Sequence, residues 1–286
     1  MTAWAYILAS SLCSILVAHL LKRSEVKGFH IFRVLTVNYT VAATLAFLLF
    51  NAPVPVVMAG WPLSLPVLIL LTGTLFFLNY LVFSKSVYYN GLGVSVASMR
   101  LSLILPVLLS VIWYQEFLNP LQWTGIFLVF CVLWLLLPEK PDRPKTLHHH
   151  YPGLLLLLFL MTGVGDASLK IYESDFSSLL SLWPFLGSVF FVSACVGTLY
   201  LAIRREWSIT SGELVAGISI GIPNLFSVYF LVEALALLQG GVVYSLVNLF
   251  TVFGAAVLGL FYWSDRLSTL QWCGLVLSVV AICLIL

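Results

Sequence analysis

The sequence predicts an all-α membrane protein of about ten transmembrane helices, built as two inverted five-helix repeats. Three observations carry that expectation. Of 286 residues, 62% are hydrophobic and 8% charged, with a mean hydropathy of +1.09, whereas a soluble domain carries about 25% charged residues. The apolar residues fall into runs parted by charged or Pro- and Gly-rich breaks, each near the roughly 20 residues that cross a ~30 Å hydrocarbon core. One stretch is written twice: Leu118, Leu121, Gln122, Trp123 and Gly125 recur as Leu267, Leu270, Gln271, Trp272 and Gly274, an offset of 149 positions.

Taken in order, the runs place spans at 3–21, 31–50, 66–88, 94–114, 120–137, 152–172, 179–203, 212–237, 243–263 and 269–286. The first follows Met1 to Trp4 with no positive leader, and Lys22 and Arg23 come after it. A cleaved signal has the opposite order, so a retained helix is expected. Between the fifth and sixth spans lies a polar linker, 138–151, rich in Pro and charge and unable to stay helical. It divides the chain into a first repeat, 1–137, and a second, 152–286. The same register pairs Glu116 with Asp265, Trp113 with Tyr262, Ser102 with Thr251 and Gly91 with Gly240, and a fainter echo at 148 sets Leu21, Lys22 and Glu25 over Leu169, Lys170 and Glu173. Five spans per copy is an odd number, so the second copy inserts upside down. Folds of that kind hold a site near the midplane, where the copies meet, and work by alternating access.

The linker ends in His148, His149 and His150. Adjacent positions cannot all face one ion in regular structure, and no Cys or carboxylate cluster supports them, so the run reads as a solvated loop and no metal is expected. Cys13, Cys131, Cys195, Cys273 and Cys283 all lie in apolar runs without CxxC spacing. They are expected to be small core residues, neither metal ligands nor a disulfide framework. Basic residues gather in the loops after odd-numbered spans, which by the positive-inside rule makes those loops cytoplasmic and both termini external.

Ionisable groups inside spans are rare, and each is a functional candidate, because an unpaired charge there costs at least about 2.5 kcal/mol. They are Lys85, Arg100, Asp166, Lys170 and Glu233. Lys85 and Glu233 occupy nearly equivalent places in the two copies. Pseudo-symmetry then sets them on opposite walls of one central cavity, holding the two ends of a zwitterion or forming a gate. The competing reading has Lys85, near its helix end, snorkelling to the headgroups. Asp166 and Lys170 are four apart, the spacing of an intrahelical ion pair. In the fourth span Ser95, Ser98 and Ser102 form one stripe and Arg100 lies roughly opposite, so a packed serine face with Arg100 toward the path is expected. In the ninth, Tyr244, Asn248 and Thr251 form a stripe rich in hydrogen-bonding groups. Gly217 and Gly221 read as a close helix contact.

Gly163, Val164, Gly165 and Asp166 match the GxGD sequence of intramembrane aspartyl proteases. That chemistry needs a second membrane carboxylate as its partner. No other Asp lies in a span, and no Ser/His/Asp set or phosphate loop stands out, so no enzyme and no cofactor are expected.

The run from Lys85 to Leu137, with Tyr88, Ala97, Pro106, Glu116, Leu118, Gln122, Trp123 and Gly125, resembles the repeat of EamA-like proteins in the drug/metabolite transporter superfamily. The second copy, Ala234 to Leu286, resembles it too, with Asp265 for the usual Glu and Ala255 for the usual Pro. The resemblance implies a ten-helix carrier of small metabolites, often an exporter of amino acids or related compounds. It also implies cytoplasmic termini, opposite to the loop charges. The first span lacks the membrane Glu that small multidrug-resistance relatives use for proton exchange, which leaves Glu233 or Asp166 as coupling candidates.

The expected function is therefore an alternating-access carrier of a small amphoteric or carboxylated metabolite, in the efflux direction, in a bacterial inner membrane. Its site is formed by the third, fourth, eighth and ninth spans and closed by the first and sixth. The substrate-binding candidates are Lys85, Arg100, Glu233, Tyr244, Asn248 and Thr251. The partners are the substrate and the lipid bilayer, without nucleic acid, in a monomer or loose dimer. The alternative is a non-transporting membrane subunit of a lipid-handling complex, whose core would be packed where a carrier has a wet cavity.

Overall fold

The structure, a computed structural model, describes residues 2–50, 61–135, 151–262 and 268–285. Among them it contains helices and no strands. The helices are α1 (Ala3–Val26), α2 (Ile31–Leu49), α3 (Ser64–Asn90), α4 (Leu92–Leu101), α5 (Ile104–Leu108), α6 (Pro120–Leu135), α7 (Pro152–Ile171), α8 (Leu182–Arg204), α9 (Ser211–Leu235), α10 (Gly240–Tyr262) and α11 (Thr269–Ile285). π-Helical turns at Leu109–Trp113 and Tyr172–Phe176 extend α5 and α7. Among the described residues, eight helical stretches are long and apolar enough to cross a membrane, as an integral membrane protein requires, while α6 and α11 have 16 and 17 described residues. Those two correspond to the fifth and tenth expected spans. Most of the linker with its three histidines, and Asp265 to Leu267 of the repeated stretch, lie outside the described residues.

The fourth span is interrupted where the sequence reading had one continuous helix. Pro106 has no N–H to give the Ser102 carbonyl, which accepts from Leu105 at 2.9 Å in a tighter turn, and the backbone breaks between α4 and α5. Local chemistry sets other ends. Asn119 and Gln122 exchange backbone-to-side-chain hydrogen bonds of 3.0 and 2.8 Å, and Ser268 and Gln271 do the same at 2.9 and 3.3 Å. The twice-written Gln is thus the third residue of a capping box that starts α6 and α11. The glycine of the same motif allows close packing: a Cβ on Gly125 would stand 2.5 Å from Ile285 of α11. Thr210 and Glu213 form a third capping box at α9.

The helices pack in a recurring pattern. α1 lies against α9 and α10, α7 against α3 and α4, α2 against α8 and α9, α3 against α8, and α6 against α11. Gly217 and Gly221 seat α9 on α2, where added Cβ atoms would meet Val37, Val41 and the Asn38 carbonyl. Two apolar clusters result, one around Phe77, Phe185, Phe190 and Tyr172 and one around Ile7, Val129, Leu246 and Ile285. Large apolar side chains such as Leu12, Leu48, Phe127, Ile203 and Val276 point outward, which suits a hydrocarbon surrounding. Cys195, Cys273 and Cys283 share that outer surface, so the expectation of core cysteines holds for none of these three; all five thiols are free.

At one end of the bundle, the α1–α2 and α8–α9 connections are joined by Glu213. This 3% exposed carboxylate accepts the His30 N–H at 3.0 Å and the Thr210 N–H at 2.8 Å and stands 3.5 Å from Arg33. The opposite end holds the α7–α8 and α9–α10 connections and Glu116.

Candidate functional site

A cavity of about 960 Å³ lies among α1, α3, α4, α7, α9 and α10. Its floor is polar. Arg100 donates to the Asn248 side-chain oxygen at 2.9 Å, the Asn248 amide donates to the Tyr244 carbonyl at 3.1 Å, and the Tyr244 hydroxyl donates to the Asp166 carbonyl at 2.7 Å. One chain of hydrogen bonds thereby joins α4, α10 and α7. The Asp166 carboxyl and the Arg100 guanidinium face the same space and act on each other electrostatically. Thr251 lines the wall with its hydroxyl turned back to the Val247 carbonyl at 2.6 Å. Phe76, Tyr80 and Phe83 of α3 supply an aromatic side. The cavity reaches the surface at Lys22, Glu25 and Ser84, all exposed, at the Glu213 end, and its lining stops at Asp166, Leu169 and Tyr244 before the Glu116 end.

Local sequence explains why Arg100 faces inward. Ser95 and Ser98 are spent on packing: Ser95 shares a 2.7 Å hydrogen bond with Ser86, and Ser98 donates to the Leu155 carbonyl at 2.6 Å. Ser102, fully buried, donates to the Met99 carbonyl at 2.5 Å. With that face against α3 and α7, the opposite face of α4 carries Arg100 into the cavity. Two hydroxyl or amide pairs brace the walls, Ser14 with Ser227 at 2.7 Å between α1 and α9, and Asn79 with Thr162 at 3.0 Å between α3 and α7.

The expected site residues separate into two groups. Arg100, Asp166, Tyr244, Asn248 and Thr251 share this cavity. Lys85 does not: it is exposed and lines a separate hollow of about 560 Å³ with Tyr88, Tyr89 and Tyr151. The registration that put Lys85 opposite Glu233 ignored helix rotation, and a one-residue difference between Ser84 and Lys85 turns the side chain by about 100°. Ser84 is the one that lines the main cavity. Glu233 also lies apart from that lining, half-buried and in electrostatic reach of Tyr229. The intrahelical pairing of Asp166 with Lys170 is likewise corrected. Lys170 turns toward the Glu116 end and bridges Glu116 at 2.8 Å and Glu173, in the π-helical extension of α7, at 2.7 Å, while Asp166 lines the cavity. Sequence reasoning passed over Ser14, Ser227, Lys22 and Glu25 as cavity residues. The echo of Lys22 and Glu25 in Lys170 and Glu173 was the signal available for two of them. Gly163, read beside Asp166 as part of a protease-like motif, is a contact glycine whose added Cβ would stand 2.8 Å from the Ser102 carbonyl.

No family model matches the chain. It is 28% identical over 282 residues, 95% of its length and 94% of the other's, to an uncharacterized protein of Haemophilus influenzae. A crystal structure of a protein superimposes on 99% of this chain and 95% of its own with a TM-score of 0.77 at 14% identity. That agreement over nearly the whole of both chains makes the arrangement of helices a fold already seen in a solved structure.

Proposed function

We propose that the chain is a carrier that moves a small amphoteric or carboxylated metabolite, such as an amino acid, across a membrane by alternating access. The observation that carries the reading is the main cavity, large enough for a small metabolite, with Arg100 and Asp166 together on its polar floor. An arginine fork suits a carboxylate, and the Asp166 carboxylate suits an ammonium group. Charges that stand in an apolar bundle without a ligand are costly, which fits a site that exchanges partners.

The packing supports two inverted five-helix repeats as the frame. The contacts of α1 with α9 and α10 recur as those of α7 with α3 and α4, and the offset of 148 that relates Ser14 to Thr162 also relates Asn79 to Ser227, the two braced pairs of the cavity wall. On this reading the chain is an EamA-like member of the drug/metabolite transporter superfamily, working as an exporter in a bacterial plasma membrane.

The test is thermal stabilisation of the purified protein across amino acids, organic anions, nucleosides and lipophilic cations, followed by liposome flux of the ligand found. A ligand at a hundred times its Kd raises stability by about 2.7 kcal/mol. A selective rise with zwitterions or carboxylates, lost in Arg100→Gln, is the expected result. Equal response of wild type and Arg100→Gln to every ligand, with no flux, refutes the reading.

A further inference from the structure

The outer hollow, about 560 Å³ at the Glu213 end of the bundle, has a chemistry of its own. It is lined by Ser84, Lys85, Tyr88 and Tyr89 of α3 and by Tyr151 and Leu154 at the start of α7. Lys85, Tyr88 and Tyr89 are three and four positions apart, so they share one face of α3. The neighbouring stripe of the same helix holds that face in place. Ser86 shares its 2.7 Å hydrogen bond with Ser95 of α4, while the buried Asn90 side chain accepts the Tyr151 N–H at 2.9 Å and donates to the Tyr151 carbonyl at 3.2 Å. With Tyr151 so fixed, its ring meets that of Tyr89 at 4.7 Å, and Tyr89 meets Tyr88 at 5.0 Å. The hollow is therefore built by the contacts that join the ends of α3, α4 and α7.

Its polar side chains are one ammonium, three phenol hydroxyls and the Ser84 hydroxyl, all able to donate. None of them has a hydrogen bond or ion pair to another described residue, and no Asp or Glu lines the space. A cation among free hydroxyls, with no carboxylate to neutralise it, suits an anion. Position selects which anion. Tyrosines at the ends of membrane helices sit at the level of the lipid headgroups. On α7 the exposed side chains of Leu157, Leu160 and Val164 follow Leu154 at helical spacing, an apolar stripe that descends from the hollow toward the middle of the span. Arg23, Lys27, Arg204 and Arg205 lie at the same end of the bundle, and basic residues so gathered face the membrane surface that carries anionic lipid.

We propose that the outer hollow binds the headgroup of an anionic phospholipid, with Lys85 on the phosphate, the Tyr88, Tyr89 and Tyr151 hydroxyls around it, and an acyl chain along Leu157, Leu160 and Val164. The site requires that the chain lie in a bilayer and does not depend on what the main cavity carries. Ser84 lines both spaces, so a bound headgroup lies beside the mouth of the cavity and braces α3 against α7 there.

The test is native mass spectrometry of the detergent-purified protein titrated with phosphatidylglycerol or phosphatidylcholine, with and without inorganic phosphate. Phosphatidylglycerol binds at least about tenfold more tightly than phosphatidylcholine, and Lys85→Gln removes that preference, as the loss of one charge-assisted contact does. Lys85 is exposed, so the variant folds; Lys85→Arg keeps the preference. Tyr89→Phe with Tyr151→Phe weakens phosphatidylglycerol about threefold while leaving phosphatidylcholine unchanged. Arg23→Gln, which removes a basic residue of the same end from outside the hollow, changes nothing. Equal loss in Arg23→Gln and Lys85→Gln reduces the effect to general surface charge and overturns the site, as does an undiminished preference in Lys85→Gln. Displacement of phosphatidylglycerol by millimolar inorganic phosphate makes this a site for free phosphate and overturns the lipid.

Discussion

Gly73 is where α3 and α8 come closest, and replacing it with Ala tests the packing that holds the first half to the second. An added Cβ would lie 2.5 Å from the Val189 carbonyl oxygen and 2.6 Å from Val192 Cβ. Neither atom is the end of a flexible side chain, so relief requires the helices to part by close to an ångström. Overpacking of this kind costs about 1–3 kcal/mol. Parting the helices also stretches the 2.7 Å hydrogen bond from Ser193 to the Gly73 carbonyl, worth about 1 kcal/mol. Together the loss is about 2–4 kcal/mol, and at roughly 2–4 °C per kcal/mol the unfolding midpoint falls by on the order of 10 °C. Gly165→Ala is the control, because its Cβ would meet nothing closer than Phe76 at 3.9 Å. Thermal unfolding of both variants in detergent decides the matter. A Gly73→Ala midpoint within a degree or so of Gly165→Ala refutes the close approach and the interhelical hydrogen bond with it.

Other expectations concern the site and the bundle end. Lys85→Ala and Glu233→Gln leave ligand-induced stabilisation unchanged, since neither residue lines the main cavity; a loss of binding in either, measured by thermal shift, contradicts the site as drawn. Tyr244→Phe removes the buried 2.7 Å hydrogen bond to the Asp166 carbonyl and lowers stability by about 1 kcal/mol, read as a drop in midpoint and refuted by a neutral result. Glu213→Ala removes the acceptor shared by His30 and Thr210, leaving two backbone donors and Arg33 without their carboxylate, at about 1–3 kcal/mol. Its amides at the start of α2 and α9 should then exchange hydrogen faster, and unchanged exchange there rules out the clamp.

Composition, run length and the repeated stretch were enough to read from the sequence a helical membrane chain and the approximate bounds of its helices, because hydropathy is a sum over neighbours in the chain. The inward turn of Arg100 was also legible, since a serine stripe on one face of α4 leaves the other face for the guanidinium. Side-chain rotation and distant partners were not. Lys85 and Ser84 are neighbours in sequence and both line the outer hollow, yet Ser84 alone of the two also lines the cavity, a difference set by how α3 is rotated against α7 and α8. Lys170 was open to Asp166 by spacing, and the tertiary fold gave it to Glu116, 54 positions earlier in the chain. The sequence by itself determined which stretches are apolar enough to cross a bilayer and that one short stretch is written twice. Only the tertiary structure decided which of the buried charges face one another, because ion pairing in a low-dielectric interior depends on distances of a few ångströms, and those are fixed by packing between helices far apart in the chain.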